Sequence, residues 1–154
     1  MNVEIRVQQD DFSVAAEYEG LLSRLPAGTG AIASFAGLVR EMAGDDDVET
    51  LFLEHYPGMT ERSISDIVSR AGERWPLSDV LVIHRVGELG PCAQIVLVQV
   101  ASGHRAAAFA ACEYIMDYLK TDAIFWKREM TGGGSRWIES TAEDRERAVA
   151  WKRD

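Results

Sequence analysis

A few short stretches of this chain hold residues whose types and spacing suit chemistry on anions. Ser102-Gly-His-Arg105 stands where a strand should give way to a helix. The first turn of a helix offers unpaired N–H groups and the positive end of the dipole. An imidazole and a guanidinium added there make an anion site. The plain alternative is a surface turn with a solvated arginine and a hydrogen-bonded histidine. Lys120 and Lys127 fall in the run KTDAIFWKRE. Lys120 closes a helix, where a cation complements the dipole. Lys127 follows Phe125 and Trp126 in an aromatic strand. Desolvation beside another cation lowers a lysine pKa and makes it a competent acid, base or nucleophile. A lysine that snorkels its head into water is the competing reading. Arg40, after a strand of small residues, and Arg136, just past a glycine tip, are isolated cations of a kind more often solvated.

Other chemistry finds no support. The sequence has no G-x-S-x-G, P-loop, H-E-x-x-H or dinucleotide fingerprint. Gly132-Gly-Gly134 precedes no helix and carries no Lys-Ser/Thr, so it reads as a flexible hairpin tip. His55 and His84 lie inside strand patterns and read as structural. Cys112 falls on an apolar helix face and reads as core. Cys92 follows Pro91 in a loop with no neighbour to activate it. The two cysteines form neither a C-x-x-C pair nor a zinc-spaced cluster, so no metal site is expected.

The elements that must position these groups follow from periodicity. Val3 to Val7 alternates and reads as a strand. Ser13 caps a helix to Leu25, stopped by Pro26-Ala-Gly. Gly30 to Val39 reads as a buried strand, Glu41 to Asp47 as an acidic loop, and Val48 to Tyr56 as the next strand. Pro57 opens a helix with Ile64, Ile67, Val68, Ala71 and Trp75 on one face, ended by Pro76. Val80 to Val86 and Ile95 to Val100 are strands joined through Gly87 to Pro91. The second is nearly continuous in apolar residues and so central. Ser102 or Gly103 caps a long helix to about Lys120 with the stripe Phe109, Cys112, Met116 and Leu119. Ile124 to Met130 and Arg136 to Ser140 form strands around the glycine tip. Thr141-Ala-Glu-Asp144 is a capping box for a final helix. Strands and helices mix without strict βαβ alternation, which predicts an α+β domain over residues 1–154.

Composition narrows the partners. The chain has 154 residues, 47% of them hydrophobic and 27% charged, as in ordinary soluble domains. A formal net charge of −9 argues against nucleic acid and anionic membranes as partners, since both need clustered positive charge. One local cationic pocket remains compatible. Met1 to Phe12 lacks the basic and apolar regions of a signal peptide. No apolar run reaches the roughly 20 residues a bilayer span needs. With so few cysteines, a reducing compartment, the cytoplasm, is expected.

Several ordered runs resemble the MoaE family, the large subunit of molybdopterin synthase. They are Leu53-Glu-His-Tyr-Pro-Gly-Met-Thr-Glu61, Arg74-Trp-Pro-Leu77, Ile83-His-Arg-Val-Gly-Glu-Leu89, Ser102-Gly-His-Arg105, Met116-Asp-Tyr-Leu-Lys-Thr121 and Phe125-Trp-Lys-Arg-Glu129. Gly30 to Arg40 also matches that family's G-A-x-x-x-F-x-G-x-V-R. The likeness runs from about Phe12 to Trp151. It implies an α/β-hammerhead fold with a mixed sheet packed with helices. It further implies a homodimer in which each large subunit binds one small ubiquitin-like, MoaD-type subunit, a heterotetramer overall. That partner ends in Gly-Gly and carries sulfur as a C-terminal thiocarboxylate. The substrate would be cyclic pyranopterin monophosphate (precursor Z), which receives the dithiolene sulfurs of molybdopterin. No separate cofactor is implied.

Position by position, Lys120 and Lys127 match the family's catalytic lysines. His104, Arg105 and Arg40 match its anion pocket, and Arg136 a further basic residue near it. Phe35 and Met116 fall where the family contacts the partner's tail or the pocket wall. On this reading Lys127 and Arg105 hold the phosphate with help from His104, and Lys120 serves as general acid or base. Ile124 stands where the family often has Pro, and the glycine tip is atypical. Two rivals are a cysteine persulfide sulfurtransferase and a module that only binds an anionic metabolite or a ubiquitin-like tail.

Overall fold

The computed structural model describes residues 1–40, 42–43 and 46–153. Its elements in chain order are β1 (Asn2–Gln8), α1 (Val14–Arg24), β2 (Ala31–Leu38), β3 (Met42–Ala43), β4 (Asp46–His55) and α2 (Met59–Arg74). There follow β5 (Leu77–Arg85), β6 (Gly87–Leu89), β7 (Gln94–Ser102), α3 (Arg105–Leu119), β8 (Phe125–Thr131), β9 (Gly134–Ile138) and α4 (Ala142–Ala150). One sheet has the order β1-β5-β7-β2, with β1 parallel to β5 and the other pairs antiparallel. A second sheet runs β3-β4-β8-β9, and β6 also pairs with β4. The architecture is mixed α/β, as the element pattern predicts. Among the described residues no helix is long and apolar enough to cross a membrane.

β7 is internal to its sheet and buried on both faces, which accounts for its near-continuous apolar run. Val96, Val98 and Val100 face a core made with Ile64, Ile67 and Val68 of α2 and Ile115 of α3. Leu97 joins Phe12, Leu81 and Ile83 on the other side. A smaller cluster of Leu51, Leu53, Val86 and Leu89 lies between the sheets.

Several expectations change. β2 is not a buried strand. It forms the sheet edge, and Ser34, Phe35, Ala36 and Leu38 reach solvent. Pro57 does not open α2. The helix starts after Gly58, which takes φ of 85°, and the Glu61 carboxylate accepts the Gly58 N–H at 2.6 Å. α3 is capped by His104 rather than Ser102 or Gly103, because β7 continues through Ser102. Trp75 is the C-cap of α2 and packs, partly buried, against the same core as the helix's apolar face.

The expected acidic loop contains strand: Met42 pairs with Asp47 and Ala43 with Asp46, while Glu41, Gly44 and Asp45 lie outside the described residues. The connection from Gly87 to Pro91 includes β6. The glycine tip closes the β8–β9 hairpin, with Gly134 at φ of 126° in a region that L side chains avoid.

α4 begins as its capping box predicts. The Thr141 hydroxyl accepts from Asp144 N and the Asp144 carboxylate accepts from Thr141 N. The helix is tied down at its far end. Trp151 packs edge-on against Trp75 and Tyr114 and donates from Nε1 to Asp117 at 2.7 Å. The Arg74 guanidinium lies over the rings of Trp75, Tyr114 and Trp151 at 5.0, 5.3 and 5.6 Å. This docking holds the end of α4 against α3.

Candidate active site

α3 runs back along the first sheet and delivers Lys120 at its C-terminal end. The Lys120 N–H donates to Met116 O at 3.2 Å. The chain then turns sharply, with Asp122 N donating to Tyr118 O at 2.7 Å. Ile124, the position that departs from the family pattern, is held at both backbone groups: its carbonyl accepts from Thr60 Oγ1 at 2.6 Å and its N–H donates to Ser63 Oγ at 3.2 Å. β8 starts immediately afterwards. Its side chains alternate, so Phe125 and Lys127 share one face. Lys127 stands opposite Leu53 of β4 and Ile138 of β9, with its stem on an apolar floor.

The result is a cleft of about 930 Å³ in which Arg40, Lys120 and Lys127 all line the wall. Burial, aided by the Lys120 charge and opposed by Asp144, brings the Lys127 pKa down to about 8. The exposed head of Lys120 and the half-buried head of Lys127 thus meet in one space from a helix end and a strand. A second cleft of about 510 Å³ adjoins it, sharing Lys120 and Asp144. Phe35, Phe109, Cys112 and Met116 give that cleft an apolar lining. Phe35 and Met116 are therefore wall residues of a groove that leads to Lys120.

Two sequence-derived assignments do not join this cluster within one chain. His104 and Arg105 are exposed at the N-terminal end of α3 and line neither cleft. The helix has 15 residues, which at 1.5 Å each separates its ends by roughly 22 Å. Arg136 stands directly across from Glu129 in the β8–β9 pair and donates to its carboxylate at 3.0 and 2.9 Å. It neutralises a wall residue and does not itself line the cleft.

Other wall residues went unremarked in the sequence. Asp144 lies between the lysines' cleft and the apolar groove, and Tyr56, Trp126 and Trp137 form an aromatic rim. Only the capping box marked Asp144, and it signals helix start rather than a site. Cys112 reaches the groove wall, but burial raises its thiol pKa to about 11, so it is no nucleophile at neutral pH. The geometry can bind two anionic groups side by side and move a proton between them.

The chain is similar to known proteins in sequence and in fold. The family model "MoaE protein" matches residues 7–122. A curated "Molybdopterin synthase catalytic subunit" from Vibrio cholerae is 55% identical over 152 residues, covering 99% of this chain and all of the relative. The solved MoaE protein of Burkholderia ambifaria superposes with a TM-score of 0.83 at 46% identity, covering 99% of each chain. Molybdopterin synthase from Staphylococcus aureus superposes at 0.78 with 29% identity, covering 86% of this chain and 95% of the other.

Proposed function

The chain belongs to the MoaE family, and from that premise we propose that it works as the catalytic subunit of a molybdopterin synthase. It transfers sulfur to cyclic pyranopterin monophosphate in molybdenum cofactor biosynthesis, with a small sulfur-carrier subunit as its partner. The observation that carries the mechanism is the meeting of Lys120 and Lys127 in one cleft, fed by an apolar groove.

The groove past Phe35 and Met116 suits a narrow, uncharged Gly-Gly tail, with its thiocarboxylate delivered to Lys120. Arg40, Lys120 and Lys127 offset the charge of that terminus and of the substrate phosphate while the exterior stays acidic. Preorganised charge of this kind is usually a large part of transition-state stabilisation. The thiocarboxylate sulfur attacks an oxygen-bearing carbon of the pterin side chain; a carbon–sulfur bond forms, the carbon–oxygen bond breaks, the oxygen leaves protonated as water, and the tail stays joined as a thioester. Water then breaks the acyl–sulfur bond, and the tail departs as a carboxylate. Each stage moves a proton. Lys127, ionising near pH 8, suits that task as well as phosphate binding, and Lys120 shares it. The sulfur arrives on the partner, so no cysteine of this chain carries it and no separate cofactor is needed.

A homodimer gives His104 and Arg105 a place. Phe109, 66% exposed, lies between the two ends of α3. A second copy packed with its α3 antiparallel, the two helices crossing near their midpoints one turn beyond Phe109, would set its His104 and Arg105 beside Lys120 of the first. Both cysteines are free thiols, which fits a reducing cytoplasm. The test is turnover. Purified protein, the pterin precursor and a thiocarboxylated Gly-Gly partner should yield molybdopterin; a folded protein that binds the partner and forms no product would reduce this chain to a binding module.

A further inference from the structure

His84 lies on β5 and is only 5% exposed. Its ring stacks on Phe125, with centroids 4.0 Å apart and planes 26° from parallel. Its Nδ1 lies 2.9 Å from the Arg85 carbonyl oxygen. A carbonyl only accepts, so Nδ1 carries the proton, and the neutral ring keeps Nε2 as a lone pair. Phe125 is the first residue of β8, packs against both main core clusters, and precedes Lys127 by one strand repeat on the same face. The imidazole, which does not itself line the cleft, therefore braces the strand that carries a candidate catalytic group.

We propose that His84 is a positioning residue for Lys127: its ring, pinned to the Arg85 carbonyl and stacked on Phe125, fixes the start of β8 and keeps water from the lysine's inner side. This rests on the synthase reading only for the consequence to catalysis; the structural link stands apart from it. The charged groups sharing the cleft with Lys127 are Arg40, Glu54, Lys120, Glu129, Glu139, Glu143 and Asp144. The His84 ring adds no charge to them. Burial, with the Lys127 and Lys120 charges, holds its own pKa at about 3, against the pull of its backbone hydrogen bond. A neutral ring excludes water without adding a third cation beside the two lysines. A smaller side chain would admit water and ease the ionisation of Lys127.

The chain's lysines are Lys120, Lys127 and Lys152, so lysine side-chain NMR on isotope-labelled full-length protein resolves each titration, assigned through Lys127→Arg. The wild type should titrate Lys127 near 8. His84→Ala, and His84→Gln, which keeps a donor but loses the ring, should raise that value by about one pH unit or more. His84→Phe keeps the stack and should leave it low. Sulfur transfer measured in parallel should lose kcat in the Ala and Gln variants, recover in Phe, and keep its KM. An unchanged Lys127 titration in folded Gln or Ala protein would overturn the proposal, as would an equal rise in Phe. Wild-type protein with a depressed Lys127 but no sulfur transfer would instead sink the functional reading and leave the link intact.

Discussion

Lys120, at the end of α3, lies close enough to Lys127, on β8, to help hold the second lysine's pKa below its ordinary value. Seven residues of sequence separate them, and the turn pinned by Thr60 and Ser63 folds them into one cleft. A like charge close by makes Lys127 harder to protonate. Such a pair is uncomfortable without an anion, and it is suited to one that arrives with substrate.

Burial of Lys127, together with the Lys120 charge, has a measurable cost. The Lys127 pKa falls from 10.5 to about 8. At 1.36 kcal/mol per unit, the charged form is disfavoured by up to about 3 kcal/mol. The unfolded chain binds more protons between those two values, so stability rises with pH from about 8 to 10.5. Lys127→Met should therefore stabilise the fold at pH 7, by about 1 to 3 kcal/mol in urea denaturation, and flatten that rise. It should also abolish sulfur transfer. A destabilised Lys127→Met protein would contradict the electrostatic account.

His84 titrates in the opposite range. Its folded pKa of about 3 lies below the usual 6.5. The unfolded state takes up the proton first on acidification, so stability falls as pH drops from about 6.5 toward 3. By pH 5 the loss from this group should reach about 2 kcal/mol. His84→Phe should reduce the difference in urea midpoint between pH 7 and pH 5. An unchanged difference would mean that the ring is hydrated.

Much of this site was legible in sequence, and what was missed has identifiable causes. By type alone Arg40, Lys120 and Lys127 read as ordinary cations, and the family resemblance singles them out; the helix and strand that carry the two lysines follow from periodicity. The expected apolar stripe of α3 holds at Cys112, Met116 and Leu119 and fails at Phe109. Phe109 points to solvent, while Ala108, Ala111, Ile115 and Tyr118 are buried. Hydrophobicity patterns give weight to large side chains, whereas a close-packed helix turns its alanines to the sheet. The edge position of β2 depends on strand order, which no local pattern encodes. The separation of His104 and Arg105 from Lys120 is implicit in a helix of this length, but only a second chain can bring the two ends together.

That arrangement can be tested by complementation. Arg105→Ala and Lys120→Ala should each be nearly inactive as pure homodimers. Mixed after subunit exchange, they should regain up to about a quarter of wild-type activity, because half of the dimers are mixed and each mixed dimer rebuilds one of its two sites. Failure to regain activity, with exchange confirmed by mass, would place His104 and Arg105 outside the catalytic site.

The cysteines should be dispensable for chemistry. Cys92 is exposed and Cys112 is buried with its thiol pKa raised. The double variant Cys92→Ser, Cys112→Ala should keep sulfur transfer within about twofold, at a stability cost on the order of 1 kcal/mol for the lost buried sulfur. A folded double variant without transfer would point to a persulfide route.

The most direct test of the central claim is single-turnover sulfur transfer by Lys120→Ala, with the pterin precursor and a thiocarboxylated Gly-Gly partner. Wild-type protein should form molybdopterin. Lys120→Ala should keep its fold and its partner binding but lose product by at least about a hundredfold, the scale of a lost general acid or base. Near-normal product from Lys120→Ala would contradict the two-lysine account.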